Sequence, residues 1–304
     1  DKPRTAIWAG MGMGKTSSTL TALETMYLAG ESRPTLVLAP LRVCNSTWPE
    51  EAHKWAHLTE IDVQPVTGDE KNRLAALKRD ASIYACNYQN IPWLVDHYGA
   101  HWPFGTVVAD ESTRLKSFRL RQGGVRAQAL AKVAHKNVKR FINLTGTPAP
   151  NGLQDLWGQT WFLDAGQRLG RTYSAFTDRW FCRTADGFGR ELRSQSAADE
   201  IYNKLRDICL TIEARDWFDL KEPIVKEIEV EMPRSARRLY DQLKKDLILQ
   251  IEQHTITAAN AAVKTQKLLQ MANGAAYVDP NTEDDHDPRA REYRIVHDAK
   301  LEAL

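Results

Sequence analysis

Ala9-Gly10-Met11-Gly12-Met13-Gly14-Lys15-Thr16 is the stretch that decides the fold. An apolar run at residues 5–9 precedes it and an amphipathic run at residues 17–28 follows, so the glycines sit at a strand-to-helix turn. At such a turn the main-chain N–H groups of the helix N-terminus converge on an anion, and bulk at Gly12 or Gly14 would block a phosphate. Lys15 is placed to reach β- and γ-phosphate oxygens and the Thr16 hydroxyl to ligate Mg²⁺. Gly12, Met13, Gly14, Lys15, Thr16 and Ser17 form the candidate nucleotide-binding set. The general pattern GxxxxGK[ST] opens on Gly, where this chain has Ala9. Phosphate binding alone does not separate a kinase from a motor.

Further apolar runs at residues 35–39, 62–66, 82–86, 106–110 and 140–144 alternate with helix-like segments such as 128–134. Their apolar residues run together instead of strictly alternating, as in parallel strands covered on both faces. The pattern predicts an α/β fold with a central, mostly parallel sheet over residues 1–165. After Pro150 the texture changes. Leu153, Leu156, Trp157, Thr160 and Trp161 fall at helical spacing in a Trp- and Phe-rich segment read as core. A helix at 197–208 with Ser196 as N-cap, a strand at 224–232 and helices at 235–253 and 258–272 complete a mainly helical extension over 166–304. The Gly-containing stretch 186–189 and the acidic stretch 283–287, with His286 inside it, read as solvated loops.

The 304 residues are 42% hydrophobic and 26% charged with a net charge of +2, which excludes disordered and collagen-like classes. No run approaches the roughly 18 consecutive apolar residues of a membrane-spanning helix, so no membrane partner is expected. Cys44, Cys86, Cys182 and Cys209 contain no CxxC pair, which fits a reducing compartment. The expected location is the cytoplasm of a bacterial or phage-infected cell, or a nucleus in a eukaryote. Asp1 and Lys2 stand where an initiator Met would, so a fragment or processed product is expected. Residues 1–150 carry +6 and the remainder −4. The stretch 112–140 holds nine basic and no acidic residues, either a solvated face or a surface for phosphates.

Val107-Val108-Ala109-Asp110-Glu111 is an apolar strand ending in two carboxylates, which brings both to the carboxyl edge of the sheet beside the phosphate loop. Asp110 is a candidate Mg²⁺ ligand and Glu111 a candidate for orienting an attacking water, so Lys15, Asp110 and Glu111 form the candidate catalytic set. Leu144-Thr145-Gly146-Thr147-Pro148 follows the next strand. Its two hydroxyls on a Gly-Pro turn make Thr145, Gly146 and Thr147 a candidate coupling switch.

In this order the motifs resemble helicase superfamily 2, and within it the Swi/Snf-like DNA translocases, including phage and bacterial members. Gly12 to Thr16 is similar to motif I, Leu38-Ala39-Pro40-Leu41 with Trp48 and Trp55 to motif Ia, Asp110-Glu111 to motif II and Leu144 to Pro148 to motif III. Asn151, Leu153, Asp155-Leu156-Trp157 and Phe162-Leu163 resemble the segment after motif III. Lys267 to Ala272 resembles the helix before the second lobe, and Lys300 to Leu304 that lobe's opening. Three departures stand out. Ser112-Thr113 replaces the Ala-His that follows Asp-Glu in many members, so any link from that His to motif III is absent or made differently. Cys86-Asn87-Tyr88 replaces a Thr-Ser-Tyr-like turn. Motifs IV, V and VI, which build the second lobe and supply its arginine fingers, do not appear. Gln167-Arg168-Leu169-Gly170-Arg171 begins like the finger pattern QxxGRxxR, but Ser174 stands where its last Arg falls.

The resemblance implies a RecA-like P-loop lobe that binds ATP and Mg²⁺ and tracks duplex DNA through sequence-independent backbone contacts from Pro40, Arg42, Lys116 and Arg119. It also implies a second RecA-like lobe, without which the chain is expected to be a poor ATPase. A restriction or defence motor, an RNA helicase and a non-hydrolysing ATP-gated binding module remain alternatives. A small-molecule kinase would leave the 145–148 turn unexplained.

Overall fold

The computed structural model describes residues 2–184, 189–213, 226–252, 258–277 and 293–304. The 186–188 part of the Gly-containing loop, the 283–287 loop with His286, and residues 224–225 lie outside them. The chain forms two compact units, residues 1–220 and 221–304.

The first unit is built on a seven-stranded sheet. Strands β1 (Arg4–Ala9), β2 (Thr35–Ala39), β3 (Val63–Val66), β4 (Ile83–Asn87), β5 (Thr106–Asp110), β6 (Arg140–Thr145) and β9 (Cys209–Ile212) lie in the order β3-β4-β2-β5-β6-β1-β9. Every neighbouring pair is parallel. The contiguous apolar runs are explained by two cores that divide the strands β1 to β6 between them. Val37, Ala39, Ile83, Ala85 and Val108 face one core with Leu20 and Leu23 of α1 (Lys15–Leu28) and Trp48 of α2 (Trp48–Lys54). Leu36, Leu38, Tyr84, Cys86, Val107 and Ala109 face the other. That second core draws on α4 (Ile91–Tyr98), α5 (Val125–Ala134), α6 (Asp155–Asp164), α7 (Tyr173–Trp180) and α8 (Gln195–Leu205). A strand with both faces buried has no reason to alternate apolar and polar residues.

Helix α6 carries the aromatic segment read as core. Leu156, Trp157 and Phe162 are fully buried, and Phe118 stacks on Trp157 with ring centroids 6.0 Å apart. Gly158 is required here, because a Cβ on it would sit 2.5 Å from the Lys116 carbonyl oxygen. Residue 165, where the lobe was expected to end, directly follows α6. Helices α7 and α8 share the core with α6, and β9 adds to the sheet beside β1.

Two local expectations are corrected. Helix α8 starts at Gln195, and its cap is Ser194, which accepts from the Ala197 N–H; Ser196 lies in the first turn, its hydroxyl on that of Ser194. Residues 226–233 carry no regular structure despite the alternation of Ile228, Val230 and Met232 with glutamates. Alternation makes a strand only where another strand pairs with it, and among the described residues none does. The extension is mainly helical, and within it β7 (Phe181–Arg183) and β8 (Arg190–Leu192) form an antiparallel pair.

In the second unit α9 (Arg234–Glu252) packs against α10 (Ala258–Ala272), and β10 (Ala275–Tyr277) pairs antiparallel with β11 (Tyr293–Ile295). The four cysteines are free, and no described helix is long and apolar enough to cross a membrane.

Candidate active site

Three adjacent strands deliver the candidate chemistry to one edge. The register aligns Trp8 of β1 with Thr145 of β6, and Leu144 with Asp110 of β5. The carboxyl ends of β1, β6 and β5 therefore place the glycine loop, the 145–148 turn and the Asp110-Glu111 pair side by side. A Cβ on Gly146 would meet the Ala9 carbonyl oxygen at 3.2 Å, so the 145–148 turn rests directly on the phosphate loop.

Gly12 and Gly14 adopt left-handed backbone angles, φ 74° and 70°, which L side chains rarely take. Gly14 is the N-cap of α1 and has no side chain with which to cap it. The Lys15 ammonium folds back over the loop and donates to the Ala9 and Gly10 carbonyls at 2.7 and 2.8 Å. It is held by main-chain oxygens that an anion can replace.

Asp110 sits at the end of a buried strand. Burial pushes its carboxyl up, while the Trp48 indole N–H, donating to Oδ2 at 3.0 Å, and the charge of Lys15 pull it down. The Tyr88 hydroxyl donates to the Asp110 carbonyl at 2.9 Å. Glu111 then takes φ 58° and ψ 54°, left-handed for a residue with a side chain. Such a conformation costs about 1–3 kcal/mol and persists only where its surroundings impose it. Ser112, the next residue, is fully buried and donates to Gln159 Oε1 at 2.8 Å.

A family model described as the SNF2-related domain matches residues 7–275. The chain belongs to that family. It is 55% identical over 309 residues to protein p41 of Acyrthosiphon pisum secondary endosymbiont phage 1, a match covering the whole chain and 65% of p41. It is 28% identical over 224 residues to helicase SWR1 of Saccharomyces cerevisiae, across 66% of this chain and 14% of SWR1. The fold is that of the Sulfolobus solfataricus SWI2/SNF2 ATPase core, solved in complex with dsDNA. That superposition has a TM-score of 0.55 at 22% identity and covers 89% of this chain and 54% of the other. The chain thus spans just under two thirds of p41 and about half of the Sulfolobus core.

On this SNF2-related domain the four candidate DNA contacts differ in how free they are. After β2, Pro40 is half-buried and Arg42 is exposed at the start of the helical segment that follows. Lys116 pairs with Asp155 at 3.0 Å. Arg119 donates to the Lys116 and Phe118 carbonyls and lies 3.4 Å over the Tyr173 ring. In the basic stretch, Arg140 and Lys139 pair with Glu31, while Arg114, Arg121, Arg126, Lys132 and Lys136 are exposed.

The QxxGR segment has a structural part in the SNF2-related domain. Arg168 pairs with Asp164 and Asp207, and the Gly170 carbonyl accepts from the Trp157 indole at 2.9 Å. The replaced turn Asn87-Tyr88 faces inward, with Asn87 and Tyr88 both buried. Trp48, Tyr88, Ser112 and Gln159 are the site residues that motif reading did not assign a role. Trp48, Tyr88 and Ser112 stood within the motif stretches without a role of their own, and Gln159 lay unmarked inside the run Leu156 to Leu163.

Proposed function

We propose that this chain is the ATP-binding lobe of an ATP hydrolase that tracks duplex DNA. The observation that carries the reading is the convergence of the phosphate loop, the Asp110-Glu111 pair and the 145–148 turn on one sheet edge. Main-chain N–H groups from Gly12 to Ser17 bind the phosphates, and Lys15 transfers its ammonium from the Ala9 and Gly10 carbonyls to the β- and γ-phosphate oxygens. The donor set fits Mg²⁺, which takes hard oxygen ligands: the Thr16 hydroxyl and the Asp110 carboxylate, the latter fixed by Trp48. Bound there, Mg²⁺ would neutralise charge on the leaving phosphate. Glu111 orients the water that attacks the γ-phosphorus and accepts its proton. A second RecA-like lobe, as the resemblance implies, completes the site with its arginine fingers.

ATP turnover by the full-length protein, with and without duplex DNA, single strands or RNA, tests this reading. Stimulation by duplex irrespective of sequence is expected. ATP binding without turnover would replace the motor with a binding module. Arg42→Ala should weaken duplex binding by a similar factor on unrelated sequences and reduce the slope of log affinity against log salt by about one. An unchanged slope removes Arg42 from the interface.

Trp48→Phe should keep the ring and lose the N–H. With that downward pull gone, the Asp110 carboxyl rises further, and Mg²⁺ requires it ionised. The acid limb of Mg²⁺-dependent nucleotide binding is therefore expected to move to higher pH, with the alkaline plateau unchanged. A fluorescent-nucleotide titration across pH checks the direction.

A further inference from the structure

The departure at motif II leaves a mechanical question: what joins the Asp110-Glu111 turn to the 145–148 turn where Ser112-Thr113 replaces Ala-His? Gln159, 4% exposed on α6, reaches both. Its Oε1 accepts from the Ser112 hydroxyl at 2.8 Å, and its Nε2 donates to the Pro148 carbonyl at 2.7 Å and to the Asp155 carbonyl at 3.0 Å. Its own carbonyl accepts from Asn143 Nδ2 at 3.0 Å, and Asn143 stands on β6 between the two turns. All three side chains are buried. An apolar side chain at 159 would strand the buried Ser112 hydroxyl away from water, which is costly, and would remove the donor to the half-buried Pro148 carbonyl.

We propose that Gln159 is a positioning residue: it holds Ser112 so that Glu111 keeps its left-handed turn, and ties that turn to Pro148 so that the two move together. The proposal rests on the ATPase reading for its kinetic consequence but not for the link itself. Glu111 is strained, and the residue that follows it is anchored by a single side-chain hydrogen bond to Gln159. Gly146, two residues before Pro148, lies against the phosphate loop, so a shift at either turn reaches the other through one amide.

The test compares Ser112→Ala, Gln159→Met and the double variant with the unaltered full-length protein. Nucleotide affinity should stay within about twofold of the parent. Turnover should fall at least tenfold in Gln159→Met, with DNA stimulation lost, and the double variant should be no worse than Gln159→Met alone. Nucleotide-free amide exchange should accelerate at residues 145–149 in Ser112→Ala, although the substitution lies in the other turn. Ser112→Ala deletes one oxygen atom, so it carries the test if Gln159→Met fails to fold. A lower Tm with unchanged turnover, DNA stimulation and 145–149 exchange would overturn the proposal, as would additive losses in the double variant. An inactive parent protein would sink the ATPase reading, and the exchange experiment would still decide the link.

Discussion

Lys15→Ala is expected to lower ATP turnover by a factor on the order of 10³ or more and to weaken nucleotide binding with it. Two losses add. The ammonium supplies charge-assisted hydrogen bonds, worth about 1.5–3 kcal/mol each, and deleting a single donor to developing charge costs about 10²–10³ in rate in comparable sites. The second loss is electrostatic, because the Lys15 charge is one of the influences that pull the Asp110 carboxyl down against burial. Without it Asp110 becomes a poorer Mg²⁺ ligand at neutral pH. Stability should change little, since Lys15 is only half-buried and its partners are two main-chain carbonyls at the loop surface. Arg is not a substitute, being longer and forked where a compact point charge is needed. Calorimetric nucleotide binding alongside turnover checks both losses; parent-level turnover in Lys15→Ala would mean that this loop does not hold the reacting phosphates.

Glu111→Gln is expected to leave binding intact and stop turnover. Gln keeps the size, the backbone requirement at φ 58° and most of the hydrogen-bonding reach, so nucleotide affinity should stay within about twofold. It cannot take a proton from water, and loss of a general base typically costs about 10²–10⁴ in rate. The variant should therefore trap the nucleotide-bound state of the full-length protein. Single-turnover measurements with labelled ATP separate this from slow product release. Turnover at the parent rate would transfer the water-orienting role to another group.

The strands at 35–39 and 106–110 coincide with β2 and β5 to the residue, because a parallel strand buried on both faces writes itself as an uninterrupted apolar word. The phosphate loop and the acidic strand end were legible for a related reason: their chemistry is fixed by the main-chain path, which Gly and strand ends announce. What stayed hidden depends on aim. Lys116 and Arg119 are basic in any reading, yet Asp155 and the Tyr173 ring lie close enough to claim them. Trp48 was legible as part of the motif Ia stretch but not as a donor to Asp110, and Ser112 gave no sign of the amide it meets on α6. Strand β9 is four residues, two exposed and two half-buried, too short and too open to carry a periodic signal.

The same β9 sets a constraint on how the protein is made. The strand that feeds the phosphate loop, β1, has no partner near it in sequence: Arg4 pairs with Phe141, and Ala6 pairs with Cys209 on the other side. At synthesis rates of about 5–20 residues per second, β1 leaves the ribosome roughly ten seconds or more before its second partner exists. Until β6 is made a strand of RTAIWA composition has neither edge covered, and until β9 is made one edge stays open. The strand that leads into the glycine loop is thus among the last parts of the sheet to be paired on both sides, although it is the first to be made.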